Sequence, residues 1–301
     1  MARINPKGSL DQTFGSGGWT VLPWPGGVSA IAETPSGDIV LGGTEGGGCC
    51  YQEWIGEVNA EGGIVSDFGS GGRTRIPGFR DDSGIYRVSV GQDGEIFVLT
   101  SGGNMGGWGV TISALSSSGL PLPSFQSNVN AAMTGITPSG VFVGDMDVRS
   151  TDILLFGTEQ NTPVSNVPDP TAQGRVVAFR LNGELETTFG TGGERTFNSP
   201  MAQSVWVLPR SSGGFLMADA RPTIQSNPKA SAELNLFDFS SDGDLDHTFG
   251  HRGMAQLALP FLSQSFPASA VPITAATNGR VSALVMSTAN GHGLRLIEIL
   301  A

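Results

Sequence analysis

The stretch Leu10-Asp11-Gln12-Thr13-Phe14-Gly15-Ser16-Gly17-Gly18 recurs along the chain, and this repetition is the strongest indication of the fold. Close copies occupy residues 65–72, 185–193 and 245–253, and a shorter copy occupies residues 122–126. The Phe anchors of the five copies are 54, 57, 64 and 60 residues apart, at Phe14, Phe68, Phe125, Phe189 and Phe249. This spacing predicts one domain, residues 1–301, built from repeat units 14–67, 68–124, 125–188, 189–248 and 249–301.

Composition limits the classes of partner. The 301 residues include 45 Gly without a collagen-like period, only 14% of residues are charged, and the net charge is -11. A surface of this charge argues against nucleic acid, which proteins bind through basic side chains. It suits neutral polyols, cations or another protein.

Cysteine content and hydropathy bear on disulfide bonding, export and membrane insertion. The two cysteines, Cys49 and Cys50, are adjacent, and adjacent residues rarely meet disulfide geometry. We therefore expect a fold without disulfides, and the sequence indicates no cofactor. Residues 1–8 hold no signal-like apolar region, and no stretch approaches the roughly 20 apolar residues of a membrane span. A cytoplasmic location, export without a signal and removal of a leader all stay open.

Each unit predicts four short strands separated by turn residues, and no segment shows helical periodicity. In the first unit the predicted strands are residues 28–34, 38–43, 54–59 and 73–77. The first strands of later units are 85–90, 141–149, 204–208 and 270–275. Their second strands are 95–100, 153–157, 215–220 and 281–287, and their third strands are 110–115, 175–181, 233–239 and 294–300.

Four antiparallel strands repeated with a period above 50 residues are typical of a β-propeller. The sequence thus predicts an all-β, five-bladed propeller of four-stranded antiparallel blades. The last unit supplies three strands, and residues 19–23 are an outer strand without a blade of their own. We expect residues 19–23 to pair with residues 294–300 and close the ring, which would remove an open sheet edge. The Phe-Gly motifs are then structural.

The repeat resembles the bacterial delta-sixty repeat family of propeller-like proteins. The resemblance lies in residues 7–15, in the hairpin of residues 35–43 and in residues 242–250, and it covers the whole chain. The third unit departs from the family pattern at Phe125-Gln126-Ser127-Asn128 and lacks the double Gly. The resemblance implies the fold and favours an extracellular or surface setting, and it supplies no catalytic residue.

Strand order places the long, irregular loops at one end of the predicted blades, and function concentrates in such loops. The candidate catalytic residues there are Asp81, Asp82, Glu45 and His292, since carboxylates and His serve acid-base catalysis. The candidate ligand-binding residues are Trp24, Tyr51, Arg80, Trp108 and Arg221, since aromatic rings stack on sugars. The same end also carries Cys49, Cys50, Asn104, Glu159 and Asp169. For each of them a solvated loop residue is the alternative.

Other signals favour structure. Innermost strands carry Glu33, Arg87, Asp147 and Arg149, which would line a central channel or pair with each other. The alternating Asp242, Asp244 and Asp246 match calcium-loop spacing, but they coincide with the repeated turn. His247 and His251 straddle a glycine turn, so we predict no metal site there. The Gly-rich residues 42–48 lack the Lys-Ser/Thr ending of a phosphate loop.

Three functions remain open from the sequence. The first is a recognition module that binds a carbohydrate or a partner protein through the loop-rich end. The second is an enzyme of the glycoside hydrolase or lyase type, with a single carboxylate-lined site at the mouth of the channel. The third is a purely architectural unit. Fold alone does not choose among them.

Overall fold

The computed structural model describes residues 1–47, 50–76, 81–104, 107–136, 141–160, 173–198, 204–210, 213–222, 232–259, 273–275, 280–287 and 293–300. Its strands form five antiparallel sheets, each from strands consecutive in the chain. The predicted all-β class and the predicted hairpins are therefore confirmed.

The sheets follow one another along the chain. Sheet 1 contains β1 (Gly27–Glu33), β2 (Ile39–Gly47), β3 (Cys50–Val58) and β4 (Arg73–Arg75). Sheet 2 contains β5 (Asp81–Val90), β6 (Ile96–Asn104) and β7 (Gly107–Leu115). Sheet 3 contains β8 (Val141–Val148), β9 (Asp152–Gln160), β10 (Gln173–Arg180) and β11 (Glu194–Asn198).

The two remaining sheets come from the C-terminal part of the chain. Sheet 4 contains β12 (Ser204–Pro209), β13 (Phe215–Pro222), β14 (Ala232–Phe239) and β15 (Met254–Leu259). Sheet 5 contains β16 (Ile273–Ala275), β17 (Arg280–Ser287) and β18 (Gly293–Leu300). Long loops were predicted at residues 158–174 and 221–232, and within them residues 161–172 and 223–231 lie outside the described residues.

The chain forms two compact units. Unit 1 comprises Met1–Ala132, Val148–Thr151 and Asn182–Glu184. Unit 2 comprises Met133–Asp147, Asp152–Leu181 and Leu185–Ala301. Sheets 1 and 2 belong to unit 1, whereas sheets 4 and 5 belong to unit 2 with most of sheet 3.

Each unit has its own apolar core. In unit 1, Val40 and Ile55 of sheet 1 pack against Ile85 and Val88 of sheet 2. In unit 2, aromatic rings dominate, and Phe215 stacks on Phe239 at 4.9 Å between ring centroids. Sheets 1 and 2 therefore share one of these cores, and sheets 3 and 4 share the other.

A helix follows sheet 2 where a fourth strand was predicted. Helix α1 (Pro123–Ile136) begins with Pro, which is favoured in the first helical turn, and buries Phe125 and Val129 one turn apart. Gln126 connects it to β7 by bonding Thr111 and Ser113. The expectation of no helix was wrong here, because this copy lacks the double Gly that makes the turn into an outer strand.

The N-terminal segment corrects the predicted ring closure. Ala2 pairs with Trp19, and the Arg3 N–H donates to the Gly18 carbonyl. The equivalent pairs in sheet 1 are Gly56 with Arg73 and Glu57 with Gly72. Residues 1–3 therefore occupy the position of a third strand beside residues 19–20. The edge that was expected to receive residues 294–300 is already filled.

A Phe-Gly interlock joins successive sheets. Phe68, between β3 and β4, is 1% exposed, and its ring lies under Gly119, the turn glycine that follows β7 of the next sheet. A Cβ on Gly119 would lie 2.7 Å from two atoms of that ring. The Phe189 ring lies in the same way against Gly243, whereas a Cβ on Gly183 would meet the Phe125 carbonyl oxygen at 2.6 Å before the ring at 3.0 Å. The glycine has positive φ in all three turns, at 78°, 85° and 77°.

A main-chain hydrogen bond accompanies the interlock. The N–H of Gly15 donates to the Glu61 carbonyl at 2.6 Å, and the N–H of Gly69 donates to the Ser118 carbonyl at 2.9 Å. Helix α1 has no such glycine, and the Nδ2 of Asn128 donates instead to the Asn182 carbonyl at 3.0 Å. Each acceptor directly precedes a turn glycine. The third repeat thus replaces a backbone donor with a side chain.

Gly119→Ala tests the interlock against Gly8→Ala, a control in the same type of turn. Gly8 also has positive φ (81°), but no atom lies within 4 Å of its Cβ position. We expect the control to cost about 1 kcal/mol for the left-handed backbone. Gly119→Ala should cost roughly 1–3 kcal/mol more, because a methyl group must displace the Phe68 ring. Equal losses in urea unfolding would contradict the interlock.

Arg252 stands where three other copies of the motif have glycine, and it adopts the left-handed backbone conformation of those glycines. Its φ is 56°, and the equivalent Gly17, Gly71 and Gly192 have φ of 63–66°. Arg252→Gly should stabilise the chain by about 0.5–1 kcal/mol, since Gly relieves a left-handed conformation but gains freedom when unfolded. Arg252→Ala keeps the Cβ and is the control. A thermal unfolding midpoint that rises equally in both variants would rule out backbone relief as the cause.

Candidate functional site

The structure places three predicted residues of the loop-rich end with their side chains. Glu45 lies on β2, Tyr51 lies on β3, and Trp24 precedes β1. For seven others the structure describes only the backbone, and they lie on the strands of sheets 1 to 4: Cys50, Asp81, Asp82, Asn104, Trp108, Glu159 and Arg221. Arg80 and His292 lie outside the described residues, as do Cys49 and Asp169.

Glu45 accepts hydrogen bonds from two arginines that the sequence analysis missed. Arg73 Nη1 lies 2.8 Å from Glu45 Oε2, and Arg75 Nη2 lies 2.5 Å from Glu45 Oε1. The Glu45 side chain is 10% exposed, Arg73 is 24% exposed and Arg75 is 60% exposed. We call Glu45, Arg73 and Arg75 the arginine cluster. In this cluster the guanidinium of Arg75 is exposed to solvent and is bonded to the buried carboxylate of Glu45.

Strand register explains why the three side chains meet. Trp54 pairs with both Gly43 and Arg75, and Gly56 pairs with Arg73. Residues two apart on a strand share a face, so Arg73, Arg75 and Glu45 all project on the face that carries Trp54. Strands β2 and β4 flank β3 and lie roughly 10 Å apart, a distance that Glu and Arg side chains span together. The alternating Arg73 and Arg75 were the sequence signal for this cluster.

Trp24 is part of the support for the cluster. It is 8% exposed, and its ring centroid lies 5.2 Å from that of Trp54. Its six-membered ring occupies the space above Gly56, where a Cβ would collide with it. The structure therefore corrects the expectation that Trp24 offers its ring to a sugar. A single sequence position does not reveal how deep a loop residue lies.

Tyr51 lies apart from the cluster. It pairs with Gly46 and alternates with Gln52, so it shares the face of Glu53 rather than that of Trp54. The predicted channel residues lie on three different strands or at their ends. Glu33 ends β1 and is exposed, Arg87 is half-buried in β5, and Asp147 and Arg149 are half-buried at the end of β8.

The electrostatics of Glu45 favour its charged form. The hydrogen bond from Arg73 lowers the pKa of the Glu45 carboxyl, with a smaller contribution from Arg75, and both outweigh the opposing effect of burial. Glu45 is thus ionised at neutral pH. A carboxylate held in this way suits the role of a base, a nucleophile or an anchor for Arg75, and it does not suit that of a general acid.

Buried polar atoms without partners concentrate in the same part of sheet 1. In the described part of the chain, Nε1 of Trp24, Nε1 of Trp54 and Oε1 of Glu53 are buried without a hydrogen-bond partner. Buried polar groups are normally satisfied by protein, water or a ligand. Trp24 and Trp54 lie on the face of the arginine cluster, while Glu53 lies on the opposite face and is 1% exposed.

Asp246, one of the alternating aspartates, is bonded within its own turn. Oδ1 of Asp246 accepts from the N–H and the hydroxyl of Thr248, as Asp11 does with Thr13. Across the described ranges, no three His, Cys, Asp or Glu side chains come together in a way that could hold a metal ion. No helix in those ranges is long and apolar enough to cross a membrane.

Comparisons with known proteins assign no family. No family model matches the chain, and no curated protein matches it. Among solved structures, it is similar to an α-L-arabinanase from Penicillium chrysogenum, with 10% identity, a TM-score of 0.48 and coverage of 94% of this chain and 82% of the other. A glucose dehydrogenase has 11% identity, a TM-score of 0.47 and coverage of 100% and 90%.

Polysaccharide lyase Uly1 has 11% identity and a TM-score of 0.44, with coverage of 89% of this chain. The chain spans 56% of the length of that lyase. At identities and TM-scores this low, the likeness assigns neither a fold nor an activity to this chain. We therefore infer the function from the side chains of the site.

Glu45→Gln tests the cluster through its pH dependence. Because the pKa of Glu45 is lowered on folding, its contribution to stability is present above the ordinary Glu value of 4.5 and is lost as the pH falls below it. At pH 7, Glu45→Gln should cost about 1–3 kcal/mol in urea unfolding, because it weakens bonds to two arginines. The loss should shrink at pH 3.5. A loss that does not change with pH would contradict the assignment.

Proposed function

We propose that the chain is a five-bladed β-propeller and a carbohydrate-recognition module, which binds through the loop end of sheet 1. The observation that carries the proposal is the exposed guanidinium of Arg75, held on the buried carboxylate of Glu45. The five consecutive sheets support a ring of five blades, and at its N-terminal end residues 19–20 pair with residues 1–3.

The chemistry of the cluster favours an oxygen-rich ligand. A guanidinium presents five N–H donors in a planar fork, and Glu45 Oε1 engages one nitrogen of Arg75. The remaining donors match the hydroxyl oxygens of a sugar, or the carboxylate of an acidic sugar as a bidentate partner. The cluster has a net charge of +1 in a chain with a net charge of -11. Acidic glycans should therefore bind more tightly than neutral ones.

The second candidate is an enzyme that acts on carbohydrate at the same end. Its support is the position of Asp81 and Asp82 at the start of β5, a strand that packs against sheet 1 in unit 1. Glu45, near the end of β2, would be a third carboxylate in this region. Hydrolysis would require two carboxyl groups about 5–5.5 Å or 6.5–9.5 Å apart. The two candidates share a ligand class and differ in whether the bound glycan is cleaved.

Arg75→Ala tests the binding proposal. The experiment is a glycan array of neutral and uronate-containing polysaccharides, followed by calorimetric titration of the glycans that bind. Arg75→Ala should weaken binding at least about tenfold, because it removes the charge-assisted donors. Arg180→Ala is the matched control, since Arg180 is 50% exposed and pairs with Glu186 as Arg75 pairs with Glu45.

The same glycans separate the two candidates. Release of reducing ends or of unsaturated products by the native chain, lost in Asp81→Asn or Asp82→Asn, would establish the enzyme. Binding without turnover would establish the recognition module. If no glycan binds, or if Arg75→Ala and Arg180→Ala bind equally well, the site proposal is wrong and a protein partner becomes the better hypothesis.

A further inference from the structure

Sheet 4 contains a cleft at the end of its strands that carries the hairpins. The cleft has a volume of about 440 Å³. Its polar walls come from the β12–β13 hairpin and the β14–β15 connection: Arg210, Asp238, Ser240, Ser241, Asp244 and Asp246. This volume is within the range of about 300–1,000 Å³ that small-molecule sites occupy. The sequence analysis assigned this end of the repeats to structure.

One wall of the cleft contains a position at which sheet 4 differs from sheets 1, 2 and 3. In those three sheets an acidic residue, Asp38, Glu95 or Asp152, directly precedes the second-strand residue that pairs with Val58, Leu115 or Phe179, respectively. In sheet 4 the equivalent residue is Gly214, which lines the cleft. A Cβ on Gly214 would collide with the Phe239 carbonyl oxygen, so no larger residue fits there without a shift of the backbone.

Two carboxyl groups replace an ion pair at the base of the cleft. The Asp246 N–H donates to the Asp238 carbonyl, just as the Asp11 N–H donates to the Arg3 carbonyl. In the first repeat, Arg3 and Asp11 form an ion pair at 2.9 Å. In sheet 4 both positions are acidic, and Arg210 pairs with Asp238 at 3.2 Å from the hairpin side. Asp238 and Asp246 are therefore neighbouring acidic side chains, and both line the cleft.

The two carboxyl groups differ in proton affinity. Burial raises the pKa of Asp238, Arg210 opposes this effect, and the charge of Asp246 adds to it. Hydrogen bonds from Thr248 lower the pKa of Asp246. Asp246 is therefore an acceptor, Arg210 is a donor, and the hydroxyls of Ser240 and Ser241 can be either. The lining therefore offers both donors and acceptors, as the hydroxyl groups of a saccharide do.

We propose that this cleft is a second binding site and that its ligand is a neutral saccharide. Three aspartates and one arginine line the cleft, so its net charge disfavours anionic ligands. No group of three metal-ligating side chains occurs in the part of the chain that the structure describes, and this argues against a metal ion. Vicinal hydroxyls that donate to Asp246 and accept from Arg210 satisfy both charged walls.

Calorimetric titration of the full chain tests the proposal. The probes are neutral mono- and disaccharides, with glucuronate and glucosamine as charged counterparts. At least one neutral saccharide should bind, and Asp238→Asn and Asp246→Asn should each weaken it about tenfold. Asp242→Asn, in the same turn but outside the lining, should have no effect. Asp11→Asn alters the equivalent Thr-bonded turn of the first repeat and is the control for turn stability.

Three results would overturn the proposal: no neutral saccharide binds, glucosamine alone binds, or the affinity survives both Asp238→Asn and Asp246→Asn. Thermal unfolding of each variant separates lost binding from lost folding. Arg75→Ala distinguishes the two sites, because it should abolish binding at the arginine cluster and leave titration of the sheet 4 cleft unchanged. Failure at one site therefore does not imply failure at the other.

Discussion

The contact between a buried Phe ring and the turn glycine of the next sheet sets the arrangement of the strands around it. Phe68 under Gly119 and Phe189 under Gly243 fix where one sheet ends relative to its neighbour. The glycine must adopt positive φ and must also lack a Cβ, so two independent requirements act on one residue. With the hairpin ends fixed, the loops at the opposite ends of the strands can vary.

Much of the fold could be predicted because its signals are local. The turn Pro35-Ser36-Gly37-Asp38 and its counterparts lie between short apolar runs, and the observed β1–β2 and β5–β6 hairpins match those patterns. Helix α1 could not be recognised, because its apolar contacts reduce to Phe125 and Val129 in a polar stretch. Pairing of residues 1–3 with residues 19–20 was missed because so short a strand has no periodicity.

The candidate site was predictable in part. Glu45 was identified as a polar residue near the loops, and the alternation of Arg73 and Arg75 was visible in the sequence. Whether Trp24 would be buried depended on its contact with Trp54, which lies in another strand. The sheet 4 cleft gave no positive signal, because its lining comes from two separate connections, with Arg210 and Gly214 in one and Asp244 and Asp246 in the other. Residues that line a common cleft can be recognised only when the surrounding strands are in place.

Asn128 shows that the link between repeats can outlast the motif that normally provides it. Its amide supplies the hydrogen bond that Gly15 and Gly69 supply from the main chain, although it sits on a helix rather than in a glycine turn. A repeat can therefore lose most of the Phe-Gly motif and still keep its hydrogen bond to the next sheet. Counting such units from their sequence signature alone will underestimate them, and an outer helix in place of a strand is a tolerated variation on the same plan.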